Sequence, residues 1–260
     1  MGTSQADQLL VQRYLARIGC TEHAQPTLHW LKTLQTQHLL TVPYENLDII
    51  RAVSLSLEIG DLYDKIVIRR RGGYCFELNA LFGWLLETIG FRVTSHFARF
   101  WRDEPDPPPK RRHHVLKVEV DGEVYLCDVG VGGVIARQPL RLVEGLEQVQ
   151  GTETYRFTRD EQWGWMLAEK KGDMWRDLYS FTEERQLPKD FLMVSYWCEH
   201  APDSIFRQGA MVSLLTPDGR YTVSGEEFHL FSTQGVQVFR PPSKEAYHAA
   251  LAQYFGLKIV

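Results

Sequence analysis

Cys75 closes the run Gly72-Gly73-Tyr74-Cys75 and opens the apolar stretch Glu77 to Ile89, so its thiol stands where a loop becomes a helix. A helix N-terminus presents unpaired backbone N–H groups and about half a positive charge. Both favour a thiolate over a thiol, and the thiolate is the nucleophile. The same amides suit an oxyanion formed on an acyl substrate. A free cysteine is more often a small buried hydrophobe than a nucleophile, so position alone does not assign the chemistry.

A nucleophilic thiol needs a base, and the base needs an orienting group. One hairpin offers both. His113 to Val120 and Glu123 to Val129 flank Asp121-Gly122, a favoured hairpin turn that sets the strand ends side by side. Asp128 at one end can hold an imidazole ring from the other. Adjacent strand residues face opposite sides, so only one of His113 and His114 can face Cys75. The positions 114, 116, 118 and 120 are more apolar than 113, 115, 117 and 119, which favours an inward His114; a bulge at the strand end reverses that choice. Without the cysteine, the same residues read as a solvated histidine pair beside a basic loop. Cys127 alternates with Asp128 and reads as packing, as do Cys20 and Cys198.

These groups must be placed by helices followed by strands. The first roughly 90 residues carry helical spacing, in Asp7 to Ile18, Thr27 to His38 and Glu77 to Ile89, the last capped by Gly90. Leu62 to Val67 reads as a short helix or strand. Strands are expected at Phe91 to Trp101, in the hairpin, and near Tyr155 to Thr158, Trp163 to Glu169 and Trp175 to Phe181. Lys189 to Cys198 suits a helix. Strands near Met211 to Leu215 and Arg220 to Val223 turn at Asp218-Gly219, and Ser243 to Phe255 makes a terminal helix. Asp103 to Arg112 is a Pro-rich, charged surface loop.

The 260 residues suit one compact unit or a few sub-domains sharing a core. A composition of 44% hydrophobic and 24% charged residues excludes a disordered or fibrous chain. The net charge of -4 gives no overall pull toward nucleic acid or an anionic membrane. Lys110-Arg111-Arg112 is one local exception, reinforced by Arg69-Arg70-Arg71 only if the fold brings the two runs together. Met1 to Gln8 lacks the features of a signal peptide, and no apolar run approaches the ~20 residues of a membrane helix. The four cysteines are scattered, without a CxxC pair, which points to free thiols in a reducing cytoplasm and away from structural zinc.

The segment Arg71-Gly72-Gly73-Tyr74-Cys75-Phe76-Glu77-Leu78-Asn79 resembles the signature of the arylamine N-acetyltransferases. Three further blocks resemble that family in order and spacing: Val42-Pro43-Tyr44-Glu45-Asn46-Leu47, Asp128-Val129-Gly130-Val131-Gly132-Gly133 and Pro202-Asp203-Ser204-Ile205-Phe206. The resemblance implies an α+β fold with a core like that of cysteine proteases and transglutaminases. Its parts would be a helical bundle over 1–90 carrying the nucleophile, a β-barrel over 91–200 carrying histidine and aspartate, and an α/β lid over 201–260. It implies the triad Cys75, His113 and Asp128, since an ungapped match through the Asp121-Gly122 turn puts the family histidine on His113, against the strand pattern.

It further implies that acetyl-coenzyme A acetylates Cys75 and that an aromatic amine, hydrazine or hydroxylamine then takes the acetyl group. Phe76, Val131 and Phe206 would meet the acceptor. Gly130, Gly132 and Gly133, with the basic loop Lys110 to Arg112, would meet coenzyme A. Glu45 and Arg71 would pair to brace the site. No metal or prosthetic group is implied. Val131 replaces the family's usual aromatic residue and would widen the acceptor pocket. The alternative is a cysteine hydrolase or transglutaminase-like enzyme using the same triad. The sequence does not give an oligomeric state.

Overall fold

The computed structural model describes residues 5–102, 104, 106–133 and 135–259. Residues 1–4 of the polar N-terminus, and Asp103 and Pro105 of the Pro-rich loop, lie outside the described residues.

The N-terminal part is helical: α1 (Gln5–Arg17), α2 (Leu28–Thr41), α3 (Leu47–Ile50), α4 (Ile59–Tyr63) and α5 (Cys75–Ile89). Thr27 starts α2 by accepting a hydrogen bond from the Trp30 amide. Leu62 to Val67, readable as helix or strand, is helical: α4 runs into a π-helical turn over Asp64–Ile68. Helix α5 is buried along most of its length, with Leu78, Leu81, Phe82, Leu85 and Leu86 fully enclosed. It ends at Gly90, whose φ of 113° closes the last turn without a Cβ clash.

Helix α5 packs on an eight-stranded antiparallel sheet. Its strands are β2 (Arg92–Phe100), β3 (His113–Val120), β4 (Glu123–Cys127), β5 (Leu140–Arg141), β6 (Gln148–Gln150), β7 (Glu153–Asp160), β8 (Gly164–Lys171) and β9 (Met174–Phe181). Their order is β5-β4-β3-β2-β9-β8-β7-β6. The sheet curls into a nearly closed barrel around Tyr155, Phe157, Leu167 and Phe181. The seam between β5 and β6 is closed by side chains. The Gln148 amide accepts from the Arg141 N–H at 2.7 Å and donates to the Arg141 carbonyl at 2.9 Å. Gln150 makes the same pair of bonds to Gln138, at 2.9 and 3.0 Å.

A second sheet has the order β1-β10-β11-β12-β13. It is formed by β1 (Tyr44–Glu45), β10 (Met211–Thr216), β11 (Gly219–Ser224), β12 (Glu227–Ser232) and β13 (Gly235–Phe239). The C-terminal helix α7 (Lys244–Phe255) buries Leu251 and Phe255 against Phe228, Val212 and Val223 of this sheet. Strand β1 comes from the N-terminal helical region, with Tyr44 opposite Ser213. The C-terminal sheet is thereby tied to the segment that precedes Cys75. Helix α6 (Asp190–His200) links the two sheets and packs Phe191 against Phe76 and Phe97. The mixed α+β class expected from the sequence is the class observed. Among the described residues, no helix is long and apolar enough to cross a membrane.

Candidate active site

Cys75 is the first residue of α5. The loop before it is held from both ends. The Glu77 carboxylate accepts from the Tyr74 amide at 3.1 Å, which fixes the first turn. Gly72 lies so close to Pro43 that any Cβ there would run into the Pro43 carbonyl oxygen. The Cys75 thiol is 2% exposed and lies 3.7 Å from the Arg112 carbonyl.

The hairpin brings its two ends to this thiol. His113 Nε2 lies 2.7 Å from Asp128 Oδ2, and the His113 ring lies beside Cys75. With Nε2 engaged by Asp128, Nδ1 is the nitrogen left to the thiol. Asp128 Oδ1 accepts from the Gly130 amide at 2.8 Å and from Asn79 Nδ2 at 2.9 Å. Asn79 also donates to the His114 carbonyl and accepts from the Val129 amide, so one side chain ties α5 to β3 and to the turn that follows β4.

Burial alone would depress the His113 pKa. The charge and hydrogen bond of Asp128, with the bond to Cys75, outweigh it and raise the imidazole to about 10. Burial pushes the Cys75 thiol up and outweighs the downward pull of the neighbouring His113. Moving the proton from sulfur to Nδ1 leaves the net charge of the site unchanged, so the buried pair avoids the penalty of a lone buried thiolate.

The strand pattern that favoured His114 is corrected here. His113 and His114 are both buried, because this end of β3 is covered on both faces. Hydrophobic alternation therefore carries no information on which histidine meets Cys75.

Gly130 faces the thiol at close range. A Cβ on it would lie 2.6 Å from Cys75 Cα and 2.6 Å from Asn79 Nδ2. Gly130→Ala is expected to push the Asp128 turn away from α5 and lower turnover by about 10²-fold or more, the effect of roughly 1 Å of misplacement. The measurement is initial rate alongside far-UV circular dichroism, and an unchanged rate would show that the two segments can part freely.

Beneath the nucleophile loop lies a buried ionic cluster. Arg71 Nη2 is 2.7 Å from Glu45 and 2.8 Å from Asp48. Lys65 Nζ is 2.7 Å from both Asp48 and Glu77. The Glu45–Arg71 pair expected from the sequence is present and buried, so it is not a solvated surface bridge. Lys65 and Asp48 were not singled out in the sequence. Burial raises Glu77 against the pull of Lys65, whereas for Asp48 the charges of Lys65 and Arg71 outweigh burial and hold the carboxyl low.

Cys75 and His113 open onto a cavity of about 890 Å³. Gly130, Val131, Gly132, Gly133 and Phe206 line it, as do Lys110, Arg112 and Tyr44. Of the residues expected at the acceptor site, Val131 and Phe206 are there. Phe76 is not: its ring is fully buried among Tyr74, Phe97 and Phe191 and lines a different cavity. Asn79 and Tyr44 were missed as site residues. Asn79 stands four residues after Cys75, the spacing that shares a helix face, which was the available signal.

A helix-borne thiol beside an imidazole that is paired with a buried carboxylate, at the mouth of a large cavity, is an arrangement suited to thiol-dependent transfer or hydrolysis. A family model described as N-acetyltransferase matches residues 27–260. The arylamine N-acetyltransferase of Mycobacterium tuberculosis is 36% identical over 251 residues, spanning 95% of this chain and 88% of the relative. The solved arylamine N-acetyltransferase of Salmonella typhimurium superposes with a TM-score of 0.92 at 32% identity, covering 96% of this chain and 92% of that one. The Mycobacterium marinum arylamine N-acetyltransferase, solved in complex with CoA, superposes with a TM-score of 0.88 at 33% identity, covering 95% and 93%. The chain belongs to the arylamine N-acetyltransferase family.

Proposed function

We propose that the protein transfers an acetyl group from acetyl-coenzyme A to the nitrogen of arylamines, arylhydrazines or arylhydroxylamines, through an acetyl-cysteine on Cys75. The observation that carries this reading is the buried His113–Asp128 pair beside Cys75, opening onto the large cavity, in a chain of this family. The rim cations Lys110 and Arg112, paired with Asp203 and Glu104, could exchange those carboxylates for the phosphates of coenzyme A, and the glycine turn 130–133 suits its backbone-hugging path. The M. marinum relative solved with CoA supports the donor.

In the first half-reaction the Cys75 thiolate attacks the thioester carbonyl, and the first-turn amides of α5 stabilise the oxyanion. The carbon–sulfur bond to coenzyme A breaks, and His113 gives its proton to the departing thiolate. In the second half the amine attacks the Cys75 thioester, and neutral His113 takes the amine proton. The S–C bond breaks, leaving the thiolate beside the imidazolium and releasing the N-acetyl product. Asp128 keeps its charge throughout and holds the ring.

Four buried free cysteines, with no disulfide among the described residues, support a reducing cytoplasm as the working compartment. The decisive test is intact mass after mixing with acetyl-coenzyme A and no acceptor. One added acetyl group is expected, absent in Cys75→Ala and discharged by an arylamine. An adduct that persists in Cys75→Ala, or no adduct at all, would sink the reading.

A further inference from the structure

Behind the triad, on the other face of β3, lies a second cavity of about 350 Å³. Phe76, Ala80, Trp84, Val93, His114 and Phe191 form its walls, and no lining residue is shared with the cavity that holds Cys75. His114 is 2% exposed and stacks on Phe191 with ring centroids 4.2 Å apart. Neither ring nitrogen meets full hydrogen-bonding geometry among the described residues; the Phe76 backbone is within reach of the ring but is not aligned with it well enough to satisfy it. Buried polar groups without a partner are rare and destabilising. Burial, with the nearby His113 and His96, lowers this imidazole to about 3, so it is neutral and offers one donor and one acceptor. The rim carries Glu58 and Glu87 but also Arg185 and Lys189, so neither sign of charge is favoured.

We propose that this cavity is a second small-molecule site, that it takes a flat, uncharged aromatic compound bearing one polar nitrogen or oxygen, and that His114 is its polar anchor. Aromatic walls supply offset or edge contacts to such a ring, and the volume sits at the lower end for ligand sites. The site is coupled to the triad by the chain itself. Phe76 follows Cys75, and His114 follows His113, so an occupant touches the immediate neighbours of both. A ligand that shifts either backbone changes the thiol–imidazole contact, and the coupling is reciprocal. This inference does not depend on what Cys75 acylates.

Indole, quinoline and 2-naphthol are suitable probes, followed by calorimetry and by the histidine ring signals in proton–carbon spectra. At least one is expected to bind with a Kd of about 1 mM or below and to shift the His114 signal. Ala80→Phe, which fills the cavity, is expected to abolish that binding, and Gly83→Leu serves if the first variant does not fold. His114→Leu should weaken it by about tenfold, the value of one lost hydrogen bond. Saturating probe should change the rate of Cys75 alkylation by iodoacetamide by about twofold or more. The site is overturned if none of the three probes binds, if the filling variants leave binding unchanged, or if only the His113 signal moves. An unchanged alkylation rate at saturation overturns the coupling.

Discussion

Asp128→Asn is expected to lower acetyl transfer by about 10⁴-fold, the magnitude that follows when a triad imidazole is held in the wrong tautomer. The reason lies in the two carboxylate oxygens. Oδ1 accepts from Gly130 and Asn79, so in the variant the amide oxygen must stay there. The amide nitrogen then faces His113 Nε2 and donates to it. That forces the ring proton onto Nδ1, the atom that must take the proton from Cys75. The fold keeps its hydrogen bonds while the base is lost. The same change removes the charge that raises His113 to about 10. In the parent protein the His113 charge works against the burial that pushes the thiol up, so alkylation of Cys75 by iodoacetamide should persist to lower pH in the parent than in the variant. In the variant the ring is neutral at pH 7, and alkylation should rise only as pH climbs through the thiol range. Identical pH profiles for the two proteins would contradict the ion pair.

Lys65→Met is expected to remove about 3–5 kcal/mol of folding stability, the loss typical when one partner of a buried ion pair is deleted. Lys65 lies against both Asp48 and Glu77, and all three are largely enclosed. Without it Glu77 has no ion-pair partner among the described residues, while Asp48 keeps Arg71. Glu77 is also the residue that caps the Tyr74 amide, so the variant loosens the turn that aims Cys75. Adding Glu77→Gln to Lys65→Met should recover part of the loss, because one stranded carboxylate becomes neutral. Urea unfolding reads both changes; a loss under about 1 kcal/mol would place the cluster with solvated surface pairs.

The placement of Cys75 and of Asp128 was legible because each depends on local pattern. A Gly-Gly loop before an apolar helix placed Cys75, and a two-residue turn placed Asp128 beside the histidines. The choice of histidine was also in the sequence, but in the register and not in the hydrophobic alternation. The hairpin pairs Val120 with Glu123 and Leu116 with Cys127. One step further sets Val115 opposite Asp128, and His113 shares the face of Val115. His114 falls on the other face.

What was not legible is what depends on contacts between distant segments. The pairing of Lys65 with Glu77 and Asp48 needs three separate elements to converge, and no spacing along the chain announces it. The pairing of Tyr44–Glu45 with β10 joins residues more than half the chain apart. Phe76 sits next to Cys75 in sequence, yet successive residues of a helix point in different directions. That is enough to send its ring into the cavity behind the site.

The barrel seam has a consequence for the molecule among its own copies. An unpaired strand edge exposes a row of donors and acceptors that can recruit a strand from another chain. At the seam between β5 and β6, the backbone groups of Gln138 and Arg141 already carry glutamine amides that imitate such a strand. The barrel thus plugs its own gap with side chains too short to extend a ladder, and these edges offer a neighbouring molecule little with which to begin edge-to-edge polymerisation.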